Sequence, residues 1–432
     1  MTVPFDPLRR STLAAAVLAP FAASSLAAAS AAPRSRRAAQ LRVGVIGCGG
    51  RGTGAAIDAL AASPEATIVA LGDAFEDRLS SSRDGLKEHD PRRATVDPKQ
   101  CFVGLDAYQG VLGCDLDVVI CATPPGFRPI HVAAAVDAGK HVFLEKPCAV
   151  DAPGIRLMLE AAKKADAKGL RTVAGTQRRH QGSYLEAIRR IRGGEIGSIV
   201  AARCYWNQGG LWNVEPRSDR SDVENQMRNW LYHAWLSGDH IVEQHVHQLD
   251  VLCWAFGTHP TKVNGVGGRQ ARTDPKFGHI FDHFGLEYTF ADGGGGEAFA
   301  LSMCRQQDGT ASKVEECFTG TEGSATLRPG FASIARRGGG AGWTYAGPQT
   351  NPYVDEHRDL HEAIRSGTPI NEIEQVAHST LAAIMGRMAA YTGQEVTWEQ
   401  ALASTEQLMP ATLAFGPRPV DPVAIPGKTP LV

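Results

Sequence analysis

The chain of 432 residues lacks a charge imbalance, paired cysteines and long apolar runs, and each absence removes a class of protein. Its 44 Lys and Arg nearly balance 46 Asp and Glu, for a net charge of −2. Nothing in that balance gives nucleic acid or an anionic membrane an electrostatic footprint. The nine cysteines (48, 101, 114, 121, 148, 204, 253, 304, 317) are odd in number, scattered and free of any C-x-x-C pair. Several fall inside apolar runs and read as small core residues, which disfavours a disulfide framework or a zinc site. Neither H-E-x-x-H nor H-x-x-E-H occurs, which disfavours a metal site, and there is no internal repeat. What remains is 43% apolar, enough for a large core divided between two domains.

The N-terminus reads as a targeting segment. Arg9-Arg10 precede Ser11-Thr12-Leu13, and an alanine-rich stretch follows to Ala29, with Ala29-Ser30-Ala31 fitting an A-x-A cleavage site. Paired arginines before a weakly apolar segment resemble a bacterial twin-arginine signal, with an ordinary secretory signal as the alternative. Pro20 interrupts the stretch and no cysteine precedes Cys48, so neither a membrane anchor nor a lipoprotein site is expected. The expected organisation is a signal over 1–32, a basic linker over 33–40, a nucleotide-binding domain over 41–176, a second domain over 177–410 and an irregular tail over 411–432. The mature protein would engage the twin-arginine export machinery and reside in the periplasm or outside the cell.

From residue 41 strand and helix alternate. Expected strands lie at 43–46, 67–72, 102–103, 117–123, 141–145 and 171–175, with helices at 54–62, 76–88, 108–112, 130–138 and 152–168. Such alternation predicts a doubly wound parallel sheet of the Rossmann type, an α/β fold whose ligands lie beyond the carboxyl ends of the strands. The first strand runs into Gly47-Cys48-Gly49-Gly50-Arg51-Gly52, a G-x-G-x-x-G turn opening a helix. Its glycines permit a tight turn, close approach of a pyrophosphate and tight strand–helix packing, and the helix N-terminus offers free N–H groups. Asp73 closes the next strand at the spacing of a ribose-binding acid. Later strand ends carry Thr123-Pro124-Pro125, Glu145-Lys146-Pro147 and Gln177-Arg178-Arg179, and all five ends should meet in one crevice.

Past residue 177 the segments 261–269, 283–291, 298–305 and 313–328 read as strands joined by glycine-rich turns, an open and mostly antiparallel sheet. Helices are expected at 355–366 and 372–391. The stretch HIVEQHVHQLDVLCWAF (240–256) reads as one helix, placing His240, Glu243 and His247 on one face and His245 elsewhere. Glu243 and His247, at i and i+4, suit an acid–base pair; structural histidines and a metal site are the competing readings. Lys146, at a strand end beside the dinucleotide crevice, can bind or deprotonate a hydroxyl whose carbon loses hydride; the alternative is a surface lysine.

The glycine loop, the run ATPPGFRPIHVAAAVDAGKHVFLEKP (122–147), the motif GTQRRH (175–180) and the helix ending at Asp250 together resemble the Gfo/Idh/MocA oxidoreductases. That family includes glucose–fructose oxidoreductases and inositol dehydrogenases. The resemblance runs from residue 41 to TGQEVTW (392–398). It implies that Lys146 is the catalytic lysine, that His247 is the family's helix histidine, and that Thr123, Pro124, Glu145 and Gln177 approach the cofactor. Glu243 stands where aspartate is usual and His245 where glycine is usual. Asp73 favours NAD over NADP, while Arg78 keeps NADP open. The resemblance further implies a homodimer or homotetramer and a small carbohydrate or cyclitol substrate. Arg178, Trp206, Asn207, Trp230 and Tyr232 are candidates to stack on or hydrogen-bond that sugar. The expected mechanism passes hydride from a hydroxyl-bearing carbon to the nicotinamide, with Lys146 and His247 handling the proton and Glu243 orienting His247.

Export adds a constraint. Free NAD is scarce outside the cytoplasm, so an exported enzyme does best with a tightly held cofactor that returns to its starting state each cycle. Coupled oxidation and reduction of two sugars meets that demand, as does a redox-neutral NAD-dependent glycosidase that oxidises, eliminates and reduces back. A sugar- or cofactor-binding protein without catalysis is the third reading.

Overall fold

The computed structural model describes residues 40–292 and 294–432; the expected signal and nearly all of the expected linker lie outside them. The described residues form one compact unit. Its first sheet contains β1 (Leu41–Ile46), β2 (Ala66–Asp73), β3 (Cys101–Val103), β4 (Val118–Cys121), β5 (His141–Leu144) and β6 (Thr172–Ala174). All pair parallel, in the order β3-β2-β1-β4-β5-β6. Val43, Val45, Val118, Val119 and Ile120 are almost wholly buried, because helices cover both faces of a parallel sheet. The switch in strand order falls between β1 and β4, where the glycine loop leaves β1.

The second sheet has nine strands: β7 (Ile199–Gln208), β8 (Lys262–Gly268), β9 (His283–Ala291), β10 (Glu297–Gln306), β11 (Lys313–Gly320), β12 (Gly323–Arg328), β13 (Phe331–Arg336), β14 (Trp343–Thr344) and β15 (Val396–Thr397). They lie in the order β14-β13-β12-β11-β7-β10-β9-β8-β15. Only the central β7–β10 pair is parallel. The 313–328 segment is a hairpin rather than one run, and β13 and β14 were hidden between glycines. One face packs on helices; on the other, Val266, Phe299 and Leu301 stand exposed. Among the described residues no helix is long and apolar enough to cross a membrane.

The chain does not stay in its second domain. The helix Pro352–Ser366 returns to the first sheet, and its Leu360 and Ile364 join the core around β1, β4 and the helix Gly50–Ala62. Thr172 of β6 bridges Asn371 in parallel register. The loop that follows β1 is therefore braced by chain more than three hundred residues away in sequence.

Candidate active site

The turn after β1 can be built only from glycine where it bends. Gly47 has φ +96°, and a Cβ on Gly52 would fall 1.8 Å from the Gly47 carbonyl oxygen. Gly49 and Gly50 face open space, and the helix starting at Gly50 has no side-chain cap and no acid in its first turn. Its leading N–H groups are left for an anion. Beside it Asp73 accepts the Cys48 N–H at 2.7 Å and the Phe75 N–H at 2.9 Å. Burial raises the Asp73 pKa above the usual carboxylate range, against the lowering by these N–H groups and by Arg78. The Cys48 side chain is buried and only its backbone serves the turn.

A cleft of about 500 Å³ opens here, lined by the glycine loop, Asp73, Arg78, Thr123 and Pro124. That size suits a substantial small-molecule ligand. Free helix N–H groups, open glycines and a carboxylate at the end of β2 together fit a dinucleotide. Three of the five strand ends line the cleft. Glu145, Lys146 and Gln177 do not line it, although Glu145 adjoins it through its pair with Arg51, which does.

Arg51 lines the cleft as part of the glycine turn, and its guanidinium is engaged by protein. It pairs with Glu145, with Asp58 at 3.1 Å and with Glu356 of the returning helix at 3.1 Å, and it lies over Tyr353 at 5.0 Å. Glu356 is fully buried, and burial together with the Glu145 charge pushes its pKa well up. Gln177 donates to the Tyr353 hydroxyl at 3.3 Å. Neither Tyr353 nor Glu356 carries a local sequence signal.

The second cluster lies at the end of β5. Lys146 Nζ donates to the Glu243 carbonyl at 2.6 Å and to its carboxylate Oε1 at 3.2 Å. The expected continuous helix is broken. It runs His240–Glu243, turns at 244–245 and resumes over Val246–Phe256. The His245 N–H reaches back five residues to the His240 carbonyl at 3.1 Å, a wide turn that shifts the register. This leaves the Glu243 carbonyl available to Lys146. Among the described residues no hydrogen bond joins Glu243 to His247, so the expected carboxylate–imidazole pair is corrected to a carboxylate–ammonium pair. His240 bonds Asp239 at 3.0 Å and packs against Phe284, and does not share the His247 face. His245 bonds Ser302 at 2.7 Å in the core.

The His247 ring stacks on Trp206 with centroids 5.5 Å apart, and the Arg178 guanidinium lies 5.5 Å from the same indole. Burial holds the His247 pKa well below the usual histidine range, and the nearby Lys146 and Arg178 charges add to this. A neutral imidazole thus sits near an ammonium whose other contacts are fixed. Arg178 itself is buried against Glu316, whose second oxygen accepts from Tyr184 at 2.9 Å, so its part is structural support. Tyr232 is also removed from the sugar candidates. It is fully buried, and its single hydroxyl proton is shared between the carbonyls of Leu211 and Trp212, each 3.0 Å away. Asn207 is buried with Oδ1 unpartnered and Nδ2 3.7 Å from Met303 Sδ, while Trp230 lines the cleft.

A Rossmann sheet joined to an open-sheet domain, with lysine and histidine at their junction, defines a two-domain dinucleotide-dependent oxidoreductase architecture. Residues 41–171 match the family model for the NAD-binding Rossmann fold of the Gfo/Idh/MocA oxidoreductases, and 184–326 match that family's C-terminal domain. The two matches span more than half of the chain, and the chain belongs to this family. It is 30% identical over 178 residues to 2,7-anhydro-N-acetylneuraminate hydratase of Escherichia coli, covering 41% of this chain and 44% of that one. It is 26% identical over 232 residues to scyllo-inositol 2-dehydrogenase (NAD(+)) of Bacillus subtilis, covering 53% and 57%. The chain thus spans about half the length of the curated relatives it matches. The aldose-aldose oxidoreductase from Caulobacter crescentus, 19% identical, shares the fold with a TM-score of 0.65 over 83% of this chain and 100% of that one.

Proposed function

We propose that the chain is an NAD-dependent oxidoreductase acting on a hydroxyl group of a sugar or cyclitol. The observation that carries this is the fixed Lys146–Glu243 pair with neutral His247 nearby, at the end of β5 in a sheet whose glycine loop fits a dinucleotide. Gly47, Gly49, Gly50 and Gly52 would hold the pyrophosphate and Asp73 a ribose; bound there, the nicotinamide supplies the two-electron acceptor. Lys146 donates to the substrate oxygen and stabilises the negative charge it gains. His247, held neutral, accepts the hydroxyl proton. Glu243 holds the lysine in place. Trp206 fixes the imidazole plane by stacking.

The substrate class is supported by the name of the Bacillus relative and by the amide and indole groups at the end of β7. Mixing the protein with NAD and a panel of cyclitols and aldoses tests the reading. Reduction of NAD by at least one of them, abolished in both Lys146→Ala and His247→Ala, is expected; undiminished turnover in both variants overturns the assignment.

A second reading is a redox-neutral cycle of oxidation, elimination and return, favoured because another relative is named a hydratase. Release of phenol from aryl glycosides without added NAD would support it. Export by the twin-arginine route rests on Arg9-Arg10 and the alanine-rich run after them, and is tested by fusing residues 1–40 to a reporter. Homo-oligomerisation is supported by the exposed Val266, Phe299 and Leu301 on the open sheet face, and is tested by light scattering.

A further inference from the structure

The cleft beside the glycine loop has an outer wall that the parallel sheet does not supply. Residues 209–232 leave the end of β7 and cross to the nucleotide-binding domain. There Trp212, Met227, Arg228 and Trp230 line the same cleft as Asp73 and Pro124. Trp212 is 47% exposed, an unusual setting for an indole unless something covers it, and it meets Trp230 edge-on at 6.3 Å.

This wall is fastened from several sides. Both terminal nitrogens of Arg228 reach the Asp77 carboxylate, each at 2.9 Å, and its guanidinium lies 4.0 Å from the Phe75 ring centroid. Asp77 and Phe75 immediately follow β2, so the fastening is to the strand that carries Asp73. Tyr232 holds the carbonyls flanking Trp212, and Gln226 donates to the Arg418 carbonyl of the C-terminal tail at 2.6 Å.

We propose that Trp212 and Trp230 are the adenosine-binding wall of the cofactor site, and that the Arg228–Asp77 pair latches this wall over the bound dinucleotide. The adenosine half is indicated because the wall meets the β2 side of the cleft, whereas Lys146 and His247 lie at β5, three strands away in the sheet order. Indoles offer a flat apolar face to a base, and the bidentate arginine–carboxylate pair fixes their carrier. Release of the dinucleotide then requires the two domains to part at this latch, a structural basis for a resident cofactor.

The inference rests on the dinucleotide reading, and its test separates the two. The protein is loaded with labelled NAD and chased with an excess of unlabelled NAD, and ADP-ribose affinity is measured by calorimetry. Trp212→Ala and Asp77→Ala alter exposed side chains and leave the core intact. Each is expected to release NAD about ten-fold faster than wild type and to weaken ADP-ribose to a similar degree. Asp77→Glu is expected to recover most of the retention. Release at the wild-type rate in both alanine variants overturns the wall and leaves the dinucleotide reading standing. A wild-type protein that binds neither NAD nor ADP-ribose overturns both.

Discussion

Lys146 is held by a single residue twice, through the carbonyl and the carboxylate of Glu243, at 2.6 and 3.2 Å. The carbonyl contact exists because the chain turns at 244–245 instead of continuing as helix. Glu243→Gln therefore keeps one of the two contacts. Its kcat should fall about ten- to a hundred-fold, with KM little changed, whereas Lys146→Ala should lose about a thousand-fold or more. Steady-state kinetics of both variants on one substrate checks this ordering.

His247 is kept neutral by burial and by the cations of Lys146 and Arg178. Because its folded-state value lies below the ordinary histidine range, the base remains available at mildly acid pH. The acid limb of the kcat/KM profile should thus lie below pH ~6.5, where an ordinary histidine would place it. A limb at or above that value would mean that His247 is hydrated or is not the proton acceptor.

Asp73 offers its carboxylate to the cleft while accepting two backbone N–H groups. Asp73→Ala should weaken NAD binding about ten- to a hundred-fold, and NADP binding less, through Arg78 on the same wall. Titrating both nucleotides against both proteins gives the ratio.

Much of this was legible in the sequence because it rests on short-range pattern. Apolar β-branched runs, a glycine turn and an acid at a strand end predict the doubly wound parallel sheet and its dinucleotide turn, and the order of the strands within it comes from the pairing itself. The Lys146–Glu243 pairing was not legible, since the stretch 240–256 reads as one regular helix and one wide turn moves every following side chain. Arg51 lines the cleft as the glycine turn predicts, but the engagement of its side chain by the protein was not legible. Its partner Glu356 lies on a helix distant in sequence, and no local pattern reports such a return. Trp212 and Arg228 sit in an irregular stretch whose residues acquire meaning only once it crosses to the other domain.

The buried Glu356 gives a stability prediction. Burial and the Glu145 charge favour its neutral form, so Glu356→Gln should lie within about 1 kcal/mol of wild type. Glu356→Ala, leaving the Arg51 Nη2 and a small cavity unfilled, should lose about 1–3 kcal/mol. Denaturant unfolding of the two variants checks the difference.

His180 provides a pH signature for the joint between the domains. Burial would lower its pKa, but its hydrogen bond to Asp359 and the nearby Glu372 carboxylate outweigh this and push it up to about 10. Folding raises this group, so its stabilisation is complete below about pH 6.5 and is lost as pH climbs through about 10. The Tm gap between wild type and His180→Gln should be widest near the lower end of that window and narrow toward the upper end.

The central claim is that the cleft after β1 holds a nicotinamide dinucleotide for chemistry at Lys146. Denaturing the purified protein, and identifying by mass and absorbance what it releases, tests this most directly. About one NAD or NADH per chain is the predicted result. A protein that releases no nucleotide, and takes up neither NAD nor NADP on titration, would contradict it.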